Sequence, residues 1–189
     1  MPPKQRITRD MIIDAAVEVA SQQGHENINA RTVAAQLHCS TQPVMYHFTT
    51  IESLKKAVYA HVDQMHTDYL MRCPEGRDPI LSIGLNYVRF ACEHPRLFRF
   101  LFQSGYTEGD SLTDLLESDA LEPILAAMEA GAALDRERTK NVFLTVALFA
   151  HGCASLIANN GLRFDETQLA DHLARAWNGA VLAAKEESL

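Results

Sequence analysis

Apolar residues in this chain recur at three- and four-residue spacing and nowhere in sustained strict alternation, and that periodicity confines the fold to helices. Ile12, Ala15, Ala16, Val19 and Ala20 form one stripe. Ile80, Ile83, Gly84, Tyr87, Val88 and Ala91 form a second, and Leu169, Leu173, Ala176, Trp177, Ala180 and Val181 a third. Each stripe lies on one face of a helix with 3.6 residues per turn. The predicted fold class is all-α, with about nine helices near 8–23, 30–37, 41–47, 50–72, 78–93, 95–104, 111–131, 135–159 and 166–185. Thr8 is placed to cap the first helix and Gly24 to end it. Breaks fall at Cys73–Gly76, His94–Pro95, Ser104–Gly109 and Asn159–Gly161, where proline restricts the preceding residue and glycine permits a turn.

The first three helices and the start of the fourth predict an N-terminal helix-turn-helix domain, residues 1–52. Residues 53–189 predict a larger C-terminal bundle. Hydrophobic residues make up 47% of the 189, enough for a real core. Charge is placed unevenly. The formal net charge is −7, yet residues 1–55 balance five positive against five negative, and Lys4, Arg6 and Arg9 make the N-terminal tip basic. Counterion release on DNA is a local effect, so an acidic chain with a basic tip is compatible with DNA binding. Its bulk acidity opposes non-specific coating of nucleic acid. With no apolar leader and no run of about 18 apolar residues, the chain is expected to be cytoplasmic, with no membrane partner. Cys39, Cys73, Cys92 and Cys153 form no Cys-x-x-Cys pair and are expected as buried small hydrophobes.

Residues 30–54 carry the chemistry. Val33, Ala34 and Leu37 give a short helix one apolar face, and His38–Ser40 makes a tight turn. Ser40 is placed to cap the following helix. Val44 and Phe48, one turn apart, anchor that helix and leave Thr41, Gln42, Pro43, Tyr46 and His47 facing outward. Gln42 can bond adenine at two edges in the major groove, and Pro43 can touch a thymine methyl. Thr41 can meet a base or a phosphate. Tyr46 and His47 can hold phosphates, which sets position but not sequence. Thr49 and Glu52 have capping-box spacing for the fourth helix, whose N-terminus would favour a nearby phosphate. An ordinary helical hairpin with a polar surface fits the composition equally well.

Residues 8–58 resemble the N-terminal domain of the TetR family of helix-turn-helix transcriptional regulators. The resemblance rests on the Ile12–Ala16 helix, Gly24, Arg31-Thr-Val-Ala-x-x-Leu37, Ser40, Tyr46-His47-Phe48 and Leu54. It implies DNA contacts from Arg31 and Thr32 at the start of the second helix. It implies further contacts from Ser40, Thr41, Gln42 and Pro43, from Tyr46 and His47, and from Lys55. Two positions depart from the family pattern. Where the family often has a phosphate-binding tyrosine this chain has Met45, and where it often has a lysine this chain has Ile51. Neither can bind phosphate, and Lys55 or the Lys4–Arg9 arm is expected to compensate.

The resemblance further implies a dimeric repressor of double-stranded palindromic operator DNA, released by a small, partly apolar effector, with no cofactor and no enzymatic activity. Homodimerisation would use the last two long helices, where Ala147, Ala150, Ala154, Ala176, Ala180 and Ala184 permit close packing. Tyr87, Phe98, Phe102 and His151 are the candidate effector residues, because aromatic groups interspersed with polar ones suit a mostly apolar cavity. The fourth helix, with its stripe of Leu54, Val58, Val62, Met65 and Tyr69, would carry the effector signal. The alternative is a helical metal-binding sensor or an enzyme without DNA binding. Its signals are Asp63-x-x-His66, which occurs once, and His61 nearby. No catalytic triad spacing or phosphate-binding glycine loop accompanies them.

Overall fold

In the computed structural model, residues 7–106, 116 and 121–186 are described. The described residues hold nine α-helices, one 3-10 turn and no strand. The helices are α1 (Arg9–Gln23), α2 (Ala30–Gln36), α3 (Gln42–His47), α4 (Ile51–Leu70), α5 (Pro79–Glu93), α6 (Pro95–Gln103), α7 (Glu122–Ala132), α8 (Arg136–Asn160) and α9 (Glu166–Glu186). The 3-10 turn, His25–Asn27, follows α1. The expected all-helical fold is thus observed. Lys4, Arg6 and most of residues 111–121 of the predicted seventh helix lie outside the described residues.

Local chemistry sets most helix ends. Thr8 Oγ1 accepts the Met11 N–H at 3.2 Å, as its place before the first stripe predicts. Gly24 closes α1 at φ 97°, in the left-handed region that favours glycine, and a Cβ there would meet the Glu26 carboxylate. Asp78, Asp135 and Asp165 cap α5, α8 and α9 by accepting the N–H three residues on. Two predicted caps differ. Ser40 stands one residue too early for α3, whose N-cap position is Thr41. Thr41 has helical rather than extended backbone angles and makes no side-chain cap bond. Pro43, in the first turn, has no N–H to be capped. The predicted Thr49–Glu52 box is shifted by one: Thr50 Oγ1 accepts the Ser53 N–H at 3.0 Å while Ser53 Oγ accepts the Thr50 N–H at 3.4 Å.

The chain divides into two compact units, Met1–Met65 with His94–Thr107, and His66–Glu93 with Glu108–Leu189. α4 lends residues to both. In the first unit α1 packs on α2, α3 and α6. Its buried side chains include Ile12, Val19, Ile28, Val33, Val44, Phe48, Leu54, Val58, Phe98, Phe100 and Leu101. α6 belongs here because it returns to α1: Arg96 reaches the Ser21 carbonyl, and Phe100 stacks on His25 with centroids 4.8 Å apart.

The second unit is built around α8, with α5, α7 and α9 against it. Gly84 lets α9 approach α5 closely, since a Cβ there would meet Leu173 at 3.2 Å. A polar chain binds its far parts together. Buried Asn86 donates to the carbonyls of Leu70 (3.1 Å) and Arg72 (2.6 Å) and accepts from Arg89 (3.0 Å). Arg89 pairs with Glu166 at 2.7 Å, and Arg77 reaches the other oxygen of Glu166 at 3.2 Å. The Arg89 hydrogen bond is the main force holding the Glu166 carboxyl below its usual range.

The expectation for the cysteines needs correction. The cysteines are free thiols, but Cys73 and Cys92 are exposed, and Cys39 and Cys153 are half-buried. Cys73 lies in the loop after α4 and Cys92 in the last turn of α5, neither on a core stripe. In addition, α8 is long and apolar enough to cross a membrane by length and composition. Its mean hydropathy is 1.7 over an 18-residue window, of which 22% is buried within this chain. A count of consecutive apolar residues misses it because Thr145, His151 and Ser155 interrupt the run.

Candidate functional site

The sequence builds the α2–α3 pair from local hydrogen bonds. Asn29 Oδ1 accepts the N–H groups of Arg31 (3.0 Å) and Thr32 (3.1 Å), and the Asn29 N–H donates back to Thr32 Oγ1 at 3.2 Å. This reciprocal box starts α2. The Thr32 hydroxyl also donates to the Asn27 carbonyl at 2.7 Å, so this predicted contact residue is already engaged in shaping the helix start. The turn closes through Leu37 N–H to Val33 O and Cys39 N–H to Ala34 O, with His38 in the left-handed region at φ 51°. Val44 (0% exposed) and Phe48 (3%) then lock the inner side of α3.

That lock orients the outer side. Thr41 and Gln42 are exposed, Tyr46 is 79% exposed, and Pro43 is half-buried. Arg31 and Ser40 are exposed as well. Thr41, Gln42 and Tyr46 therefore present hydroxyl and amide groups to solvent from one short, rigid helix. His47 also has a partner within the chain. It is half-buried, and its Nε2 donates to the Ile7 carbonyl at 3.2 Å, tying the N-terminal arm to α3. Arg9 reinforces that tie, its guanidinium 5.0 Å from the centroid of the Phe48 ring. Lys55 is half-buried. Desolvation is the main cause of the lowered pKa of His25, and the Lys55 charge adds to it.

The four candidate effector residues fall into two pairs. In the second unit, the Tyr87 hydroxyl and His151 Nδ1 are 2.8 Å apart. Burial raises the Tyr87 pKa and lowers that of His151, so both partners of this hydrogen bond are neutral. Sequence reasoning did not connect His66 with this pair. Its ring meets Tyr87 edge-on at 5.4 Å and Phe90 at 4.9 Å, and burial lowers its pKa to about 4. Phe98 and Phe102, 4.9 Å apart, belong to the first unit. Of the metal-sensor candidates, His61 is exposed and 3.8 Å from Asp14, Asp63 is half-buried, and His66 is buried. Among the described residues no three His, Cys, Asp or Glu side chains converge.

Residues 80–177, just over half of the chain, match the family model of the tetracyclin repressor-like C-terminal domain. The chain belongs to the TetR family. A curated relative, the uncharacterized HTH-type transcriptional regulator YobS of Bacillus subtilis (strain 168), is 26% identical over 100 residues. The match covers 50% of this chain and spans about half, 51%, of that relative's length. A TetR-family transcriptional regulator from Streptomyces coelicolor superposes with a TM-score of 0.75 at 18% identity, over 99% of this chain and 85% of that one. The multidrug binding protein EbrR in complex with ethidium gives 0.55 at 20% identity, over 93% and 99%. At these identities the two structures show a shared fold.

In this TetR-family chain the matched segment runs from α5 through most of α9. Within it, Leu148 and Leu156 of α8 are 51% and 56% exposed, and Leu182, just beyond it on α9, is 60% exposed. Gly152 lies between the two α8 leucines on the same exposed face.

Proposed function

We propose that this chain is a cytoplasmic, homodimeric transcription regulator. In this reading it represses from a palindromic operator and is released by a small, partly apolar effector. The observation that carries the reading is the solvent-facing Thr41–Gln42–Tyr46 surface on a helix whose inner side is fixed by Val44 and Phe48. Such a helix presents its N-terminal residues to base edges in the major groove. Gln42 reads sequence, Thr41 and Pro43 support it, and Arg31, Ser40, Tyr46 and Lys55 position the backbone. Thr32 and His47 act indirectly, by setting the start of α2 and holding the arm.

Dimerisation is supported by the exposed leucine face of α8 and by Leu182 on α9. A second copy covers that face and gives α8 the burial that one chain does not. Two copies also give a two-fold DNA-binding surface that matches a palindromic site. The effector reading is supported by the neutral Tyr87–His151 hydrogen bond, whose tyrosine packs against the apolar side chains around Leu85, Ala150 and Leu173. A ligand with one polar group on an apolar body can replace either partner of that bond. Phe98 and Phe102 offer a separate aromatic surface for an effector within the first unit. α4 carries the signal, as one continuous helix with residues in both units. Linkage requires operator and effector to weaken each other by the same factor.

Selection from randomised DNA by the purified full chain tests the function. The expected result is an enriched, roughly palindromic site with half-site centres about one helical turn apart or a small multiple, bound less tightly as salt rises. Recovery of no enriched sequence overturns the reading.

A further inference from the structure

Met45 stands out on the surface of α3. Isolated exposed apolar side chains need no explanation. Yet this six-residue helix carries two of the seven large hydrophobics exposed among the described residues, Met45 at 44% and Tyr46 at 79%. Tyr46 has a hydroxyl to offer, whereas Met45 has only a thioether. Thr41, Gln42 and Met45 stand at i, i+1 and i+4, which places Met45 one turn beyond the two residues best suited to read bases. A thioether is a weak acceptor with no donor, so phosphate oxygens offer it nothing. The apolar group that base edges display in the major groove is the C5 methyl of thymine. Methionine is unbranched and polarizable, able to fit its terminal methyl against such a group.

We infer that Met45 reads the C5 methyl of one thymine in each operator half-site, making it a specificity-determining residue of the recognition helix. The inference rests on the operator-binding reading above. It assigns to Met45 a contact distinct from that of Pro43. Pro43 is also apolar but lies half-buried in the first turn, on the opposite side of Val44 in sequence.

The test uses the operator obtained by selection and replaces each thymine in turn with deoxyuridine, which removes the methyl and nothing else. Wild-type protein is expected to lose about fourfold in affinity at one thymine position per half-site, and roughly 15-fold when both half-sites are changed. Met45→Ala should bind the thymine and uracil operators equally. Met45→Leu and Pro43→Ala should keep the discrimination at that position. Helical circular dichroism melts establish that the variants are folded, as expected for an exposed site. An operator bound normally but indifferent to every methyl overturns the inference alone, and so does a Met45→Ala protein that stays as methyl-sensitive as the wild type. Failure to select any operator overturns the regulator reading, and this inference with it.

Discussion

The two units both start helices on local caps, and they differ in that the second adds a linked chain of partly buried side-chain hydrogen bonds. In the first, helices begin on signals a few residues away: Thr8 on α1, the Asn29–Thr32 box on α2, the Thr50–Ser53 box on α4. Its outward face at α3 is small and mostly polar. In the second, long helices are tied together by contacts far apart in sequence. Asn86 holds the end of α4, Arg89 joins Asn86 to Glu166, and Tyr87 meets His151. Its outward face at α8 is apolar. The difference fits the two jobs proposed above. A surface that reads DNA needs fixed geometry and exposed polar groups. A bundle that pairs with a copy and admits a ligand needs apolar surface and internal polar contacts that can be exchanged.

The largest expected effect sharpens this contrast in the first unit. Phe48→Ala removes a 3%-exposed ring that anchors α3 and carries Arg9, and should cost about 3–5 kcal/mol in a denaturant melt. A cost below about 1 kcal/mol would break the claim that α3 is held rigidly from within.

The next is a pH effect confined to the second unit. Burial holds His66 neutral in the fold, with its pKa lowered from 6.5 to about 4. The unfolded chain binds the proton first as pH falls. The contribution is therefore fully present above about pH 6.5 and is lost as pH drops toward 4, amounting to about 3 kcal/mol. Melts between pH 7 and 4.5 should show this loss in the wild type and a flatter profile in His66→Phe. Equal slopes in the two proteins would contradict the assignment.

Asn86→Ala should cost about 2 kcal/mol, because it strips buried partners from the Leu70 carbonyl and from Arg89. Adding Glu166→Gln to that variant should cost less than Glu166→Gln alone costs in the wild type, since the two residues act through Arg89. Additive costs would dissolve the proposed chain. Smallest is Asn29→Ala, about 1 kcal/mol from the lost cap, with no coupling to Glu166. Coupling between those two would erase the distinction between local and long-range stabilisation.

The same distinction governs what the sequence reveals. The stripes of α1, α5 and α9 were legible because burial on one helical face imposes a local period, and Thr8, Gly24, Val44 and Phe48 were legible by position alone. The Thr50–Ser53 box was displaced by one residue because hydroxyl-bearing Thr49 and Thr50 are adjacent and only the backbone register chooses between them. α6 returning to α1, His47 tied to Ile7, and His66 set against Tyr87 left no local pattern, since their partners are 20 to 80 residues away. For the candidate site, the outward residues of α3 could be named from spacing. That Thr32 and His47 are already engaged by the backbone required the structure.

In the proposed function, the exposed end of α3 reads base sequence. The most direct measurement is the affinity of Gln42→Ala for the selected operator and for unrelated DNA, each across a range of salt. The account predicts a loss of roughly 1–3 kcal/mol at the operator, relaxed preference at one base position, and unchanged binding and salt dependence on unrelated DNA. An equal loss on both DNAs, or no loss on either, would contradict it.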